Sequence, residues 1–404
     1  MAEEQPEQST GTDLILAAQL NRARPHSVTV PRADAEWELP AGSARVYHGS
    51  GHQGIQRPVL LADGFNSGPT DFDLLYAGLD GGGYPLLTSL RERGHAVVLI
   101  GFDERSASLL DNARAVTAAI LRTIAERLGD APLTVGGFSM GGLITRYVLA
   151  KLETEGVDHQ TALSFSYDTP HRGAVIPVAL QAFAHFIPGR ENAFARQMNS
   201  AAARQLLWRH HDPELGTAQQ APERKEFLAA LDAVGGWPRR PRTIAVANGS
   251  GDGVGNGVPA GENALSVRRI FPGTVLRTQD EGEGVVVAEL KRRLPPAQRQ
   301  VTTDGLPPLD GAPGGTLDSF AILGDALTRS GGQVTVDHPT VCFVPTVSAL
   351  AVRELDRTDD LYAPVSDLPP EEFEVDEYQV SSSDTPHTAI TRELCEFLLE
   401  RLPA

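Results

Sequence analysis

The chain has 404 residues, more than one hydrophobic core usually supports, which predicts one elaborated domain with large insertions or two domains. An apolar fraction of 41%, a charged fraction of 22%, and 40 Gly with 29 Pro exclude collagen, coiled-coil and mini-protein architectures and describe a folded, loop-rich protein. The 35 Lys and Arg against 52 Asp and Glu give a formal charge of −17, which disfavours nucleic acid and anionic membrane surfaces as partners.

Residues 1–26 are polar, with one helical patch at Leu14–Leu20, and read as a weakly ordered lead-in. From Ser27 to Tyr47 the alternating runs SVTV and SARVY predict an antiparallel sheet edge. Four continuous apolar runs follow: PVLLAD (58–63), AVVLIG (96–101), PLTVGG (132–137) and ALSFSYD (162–168). Unbroken apolar strands are expected where both faces are covered, and helical spacing at 109–128 and 142–155 supplies the cover. The alternation predicts an α/β architecture with a mostly parallel central sheet. TIAVAN (243–248) and TVCFVP (340–345) continue the strand series after long gaps.

The first gap, 174–242, carries three helical stretches and reads as a helical cap. The second, 254–339, is a loop-rich insertion with short strands, among them a hairpin across QDEGEG (279–284). The remaining segments, 27–173, 243–253 and 340–404, form the expected core, closed by an amphipathic helix at 389–402. The longest apolar stretch, 174–188, is interrupted by Pro177, Gln181 and His185 and is too short to span a bilayer. The acidic, polar start of the chain lacks the basic and apolar blocks of a signal peptide, so a cytoplasmic location is expected.

Chemistry concentrates at GGFSMGG (136–142), where Gly137-Phe138-Ser139-Met140-Gly141 is a G-x-S-x-G between a buried strand and a helix. Glycines two positions either side of Ser139 let the backbone turn sharply, and the helix start offers the free N–H of Met140. Neither phosphate-loop nor dinucleotide-loop spacing is met. Cys342 and Cys395 are too few for a disulfide framework or a zinc site, and no metal or cofactor is implied.

On these residues the chain resembles the α/β-hydrolase superfamily, in particular its lipase and esterase branch, and a bacterial subgroup within it. The resemblance rests on PVLLADGFN (58–66), the serine elbow, SYDTPHRGA (166–174) similar to the T-P-H-x-G of many lipases, the helical cap, and an acid and a histidine downstream. It implies a Ser-Asp-His triad, with the N–H groups of Phe65 and Met140 as the oxyanion hole.

For the acid, Asp252 lies four residues past the run TIAVAN in a loop resembling the family's acid loop; Asp168, at the end of ALSFSYD, is the alternative. The tetrapeptide Asp-Thr-Pro-His occurs twice, at 168–171 and 384–387, and only His387 stands last in chain order before the final helix, as the resemblance requires. His171 is expected to bond backbone beneath the elbow, His338 to lie at the wrong sheet end, and His210 and His211 to be solvated, as are Arg239, Arg240 and Arg242. Val178, Ala182 and Phe186 form an apolar side that would either wall an acyl pocket or pack against the body. The expected activity is hydrolysis of a hydrophobic or bulky carboxylic ester, with a small or lipid-like molecule as partner. An acyltransferase or cyclising thioesterase of natural-product metabolism and a non-catalytic binding protein are the alternatives.

Overall fold

In the chain order of the main sheet, eight strands run β1 (Ala35–Leu39), β2 (Gly42–Tyr47), β3 (Val59–Ala62), β4 (Val97–Phe102), β5 (Leu133–Phe138), β6 (Thr161–Tyr167), β7 (Arg242–Ala247) and β8 (Glu377–Val380). They are hydrogen-bonded in the order β1-β2-β4-β3-β5-β6-β7-β8, with β2 antiparallel to both of its neighbours, β1 and β4, and every other neighbouring pair parallel. The computed structural model describes residues 28–188 and 192–403; the expected lead-in at 1–26, with its patch at Leu14–Leu20, lies outside the described residues.

The central strands are apolar on both faces because each face meets helices. Val59 and Leu61 of β3 pack among helices α1 (Phe72–Asp80) and α2 (Leu86–Glu92). Leu60 and Ala62 pack among α3 (Leu109–Glu126) and α4 (Met140–Thr154) on the other face. In α3, Leu109, Ala113, Val116 and Ile120 recur every three or four residues on the buried side, and Ser108 caps the start by accepting the Asp111 N–H.

Between β6 and β7 lie α5 (Val178–Phe186), α6 (Ala193–Met198), α7 (Ala201–Leu206) and α8 (Pro222–Ala233). Between β7 and β8 the chain builds an antiparallel sheet of 263–267, 274–277, 285–293, 296–303 and 334–336, helix α9 (Ser319–Arg329), and a two-stranded ribbon of 314–317 with 341–345. A final helix, α10 (Arg392–Leu399), covers the face shared with α1 and α2.

Two strand expectations are corrected. The edge partner of β2 is β1, whose register pairs Trp37 with Ala44, and SVTV forms no strand among its described residues. TVCFVP does not continue the main sheet: 341–345 pairs antiparallel with 314–317, and the last parallel place belongs to β8, EYQV. The apolar content of TVCFVP reflects its burial within the ribbon, whereas β8 is half-exposed and carries a mixed sequence. No helix among the described residues is long and apolar enough to cross a membrane.

Candidate active site

Ser139 joins β5 to α4 with φ 54° and ψ −121°, a conformation costly for a residue bearing a Cβ. The flanking glycines make this turn possible. A Cβ on Gly137 would stand 2.2 Å from the Gly141 carbonyl carbon, and one on Gly141 would stand 2.4 Å from the Ala62 oxygen. Only hydrogen at these positions lets β3, β5 and α4 close around the serine.

His387 lies in the loop between β8 and α10. Its Nε2 is 2.8 Å from Ser139 Oγ, and its Nδ1 is 2.7 Å from Asp168 Oδ2. A carboxylate only accepts, so Nδ1 carries the proton and Nε2 accepts from the serine hydroxyl. All three side chains are buried. The other oxygen of Asp168 accepts the Asn248 N–H at 2.9 Å, while the Asn248 amide holds the His387 loop through Thr385 Oγ1 and the Ala389 carbonyl, both at 2.9 Å.

Asp252 is not brought to this cluster. It is exposed, accepting from Ser250 Oγ and the Val254 N–H at 2.9 Å each, which holds its carboxyl below the usual range. Its glycine-rich loop turns away from the sheet, and Asp168, at the end of the neighbouring strand, faces the imidazole in its place. The carboxylate bonded to the imidazole therefore comes from the first Asp-Thr-Pro-His copy and the histidine from the second. Asp384, the acid of the second copy, instead accepts the N–H groups of Ser250 and Gly314, and burial raises its carboxyl.

The loop after β3 passes close to the serine: a Cβ on Gly64 would lie 3.4 Å from Ser139 Cβ. Phe65 lines the cavity together with Ser139 and His387, and Met140 opens α4, whose first N–H groups have no intrahelical acceptor. Asp63, fully buried, fixes this loop by accepting the Gly64 N–H at 2.7 Å and the Thr70 hydroxyl at 2.8 Å, with Arg105 3.5 Å away. Burial pushes the Asp63 carboxyl up, and Arg105 opposes that shift.

Val178, Ala182 and Phe186 do not wall the cavity. They belong to the core that α5 shares with Leu265, Leu276 and Leu290 of the antiparallel sheet, whose apolar face offers α5 a larger partner than the site does. The cavity above Ser139 is lined by Ile176, Met198, Ala203, Leu206, Leu317 and Phe343. Phe65, Ser139 and His387 form its floor. Phe343 meets the His387 ring edge-on at 4.8 Å between centroids, and the His387 N–H donates to the Thr316 carbonyl at 2.8 Å. The ribbon of the second insertion is thus part of the site.

The other histidines take different places. His171 bonds side chains: its ring meets Ser166 Oγ at 3.0 Å and Arg146 at 3.2 Å, with burial first and Arg146 next holding it well below its ordinary pKa. His338 lies 3.2 Å from Glu262, away from the serine. His210 and His211 are buried, not solvated, because the 210–212 strand packs under α5. His210 bonds the Met198 carbonyl at 3.0 Å, and neither ring nitrogen of His211 has a partner. Arg240 pairs with Asp158 at 3.1 Å, Arg242 with Glu377, and Glu153 accepts the N–H groups of Arg239 and Arg240.

Asp63, Asn248 and Gly315 escaped the sequence reading as parts of the site. The signal for the first was an Asp at the end of a buried strand directly before a glycine; for Gly315 it was the paired glycine in GAPGG (311–315).

The strand order, with six parallel strands, and the serine turning at positive φ from the fifth strand into a helix, decide the architecture. The chain has the α/β-hydrolase fold. A family model described as Thioesterase domain matches residues 86–234 of the chain, a span that includes Ser139 and Asp168 and ends before His387. Among solved structures, a mature lipase from Bacillus licheniformis, BlEst2, is 13% identical, with a TM-score of 0.32, covering 51% of this chain and 72% of its own. A bacterial heroin esterase is 16% identical, with a TM-score of 0.33, covering 52% of this chain and 65% of its own. Est1E from Butyrivibrio proteoclasticus is 11% identical, with a TM-score of 0.32, covering 53% and 78%. No curated protein matches the sequence.

Proposed function

We propose that this protein is a serine hydrolase of apolar acyl esters or thioesters, working through an acyl-enzyme on Ser139. The observation that carries the reading is the hydrogen-bonded chain Ser139–His387–Asp168, with links of 2.8 and 2.7 Å, beneath an apolar cavity. His387 takes the hydroxyl proton as Ser139 attacks the carbonyl carbon, and Asp168 holds the imidazole and stabilises its cation. The negative charge on the carbonyl oxygen is met by the N–H groups of Phe65 and Met140. His387 then protonates the leaving alcohol or thiol, and water, deprotonated by the same imidazole, releases the acid.

The apolar lining favours a hydrophobic acyl group. Met198 of α6 and Ala203 and Leu206 of α7 line the cavity, so these two helices would shape the room for the acyl chain and could move to enlarge it. The Thioesterase-domain match favours a thioester in particular, with hydrolysis or transfer to another nucleophile as its outcome.

The test is labelling of wild type, Ser139→Ala and His387→Ala with a fluorophosphonate, beside hydrolysis of p-nitrophenyl esters and N-acetylcysteamine thioesters of graded chain length. Labelling lost in both variants and a chain-length optimum above acetate are expected. A folded wild type inert to the probe and to every ester would sink the reading in favour of a binding protein.

A further inference from the structure

The acidic chain carries a local reversal of charge at one end of its antiparallel sheet. Segments 264–276 and 290–300 contain no Asp or Glu, against Arg268, Arg269, Lys291, Arg292, Arg293 and Arg299, of which Lys291 reaches Glu289 at 3.6 Å. The strand register brings their turns to the same end. Val275 pairs with Glu289, Thr274 Oγ1 accepts the Lys291 N–H at 2.8 Å, and Arg293 pairs with Pro296 at the second tip.

Each tip holds an aliphatic side chain in water. Leu294 is 85% exposed and Ile270 39% exposed. Around them Arg268, Arg269 and Arg293 are exposed and have no ion-pair partner among the described residues. Arg292 turns inward instead: it donates to the Phe186 carbonyl at 2.6 Å and stacks over the Phe186 ring at 4.9 Å, fastening the hairpin to the end of α5. Pro295 and Pro296 behind Leu294 lack N–H donors and stiffen the tip.

We propose that the two tips form a docking site for an anionic phospholipid surface. Leu294 and Ile270 enter the boundary between headgroups and acyl chains, and the neighbouring Arg268, Arg269 and Arg293 meet the phosphates. Exposed aliphatic side chains set beside unpaired arginines match a bilayer surface, with its apolar layer beneath the phosphates, and not a nucleic acid backbone, which has no apolar layer to receive Leu294 and Ile270. The acidic remainder of the molecule is repelled by such a surface, which turns the tips toward it. The proposal does not depend on the hydrolase reading.

The experiment is co-sedimentation of the full chain with vesicles of phosphatidylcholine alone or mixed with phosphatidylglycerol, at low and high salt. Two variants are compared, Ile270→Ser with Leu294→Ser, and Arg268→Glu with Arg269→Glu and Arg293→Glu; unchanged thermal midpoints report that both are folded. Wild type is expected to bind the anionic vesicles at least about tenfold better than the neutral ones, with salt weakening the binding, and each variant to lose at least about tenfold. The proposal is overturned if folded wild type ignores anionic vesicles or if both variants bind as it does. It is also overturned if the serine variant keeps full binding while soluble heparin competes, which would assign the arginines to a soluble polyanion.

Discussion

Gly315 leaves no space between its own backbone and the carboxylate of Asp168: a Cβ placed on it would stand 2.0 Å from Oδ2, the oxygen that His387 engages. Gly315→Ala is therefore expected to push the acid off the imidazole. We expect kcat to fall by about a hundredfold or more, with a loss of roughly 1–3 kcal/mol of stability from overpacking. Esterase kinetics beside a denaturant titration separate the two effects, and an unchanged kcat would remove the ribbon from the acid's support.

Asp168 and Asp252 are distinguished by one substitution each. Asp168→Asn leaves the shape but lets the imidazole adopt the wrong tautomer, which costs about 10⁴ in kcat where this arrangement has been dissected in serine proteases. Asp252→Asn removes only a turn carboxylate and should leave kcat within about twofold. Equal losses in both would contradict the site described here.

The small side chain of Ala203 lies on the cavity wall, 3% exposed. Replacing it with Phe fills the space an acyl chain needs, while an acetyl group stays nearer the serine. The expected result is a loss of about a hundredfold or more in kcat/KM for octanoyl esters and under about tenfold for acetyl esters. Parallel losses along the series would mean that the chain binds elsewhere.

Stability is expected to depend on pH through His211. Burial, with His185, Arg299 and His210 nearby, pushes its imidazole down from 6.5 to about 4. Its folded pKa lies below its unfolded one, so the unfolded chain binds the extra proton between these values. The contribution is complete above about pH 6.5 and is lost as pH falls toward 4, by up to about 3 kcal/mol. His211→Leu removes both this proton and a buried imidazole without partners, so its Tm should exceed that of wild type, by more at pH 5 than at pH 7.5. Parallel pH dependence in the two proteins would exclude His211 as the origin.

The sheet was legible where the sequence alone decides burial. Val59–Ala62, Val97–Phe102 and Leu133–Phe138 are apolar along their length because helices cover both faces, and nothing distant alters that requirement. Ser139 was legible because its strained turn demands glycines at fixed offsets. The acid was not, since Asp168 and Asp252 both follow buried strands, and only the lateral order of those strands determines which one faces His387. The same holds for the cap. The apolar side of α5 looks alike whether it meets a substrate or Leu276 and Leu290, and the sheet that claims it lies about a hundred residues further along. EYQV at 377–380 was missed because an edge strand in half-exposed surroundings needs no apolar pattern.

The ribbon 314–317 ties chemistry to an insertion that would otherwise pass for an accessory. Gly315 bears on the Asp168 carboxylate, the Thr316 carbonyl holds the histidine loop, and Leu317 lines the cavity, three successive residues touching the carboxylate, the imidazole and the space above Ser139 in turn. The segment between β7 and β8 therefore cannot be exchanged as a neutral module. Under the proposed function, a graft that retuned acyl preference through position 317 would also reach the Asp168 carboxylate two residues earlier, so substrate range and turnover would be inherited together.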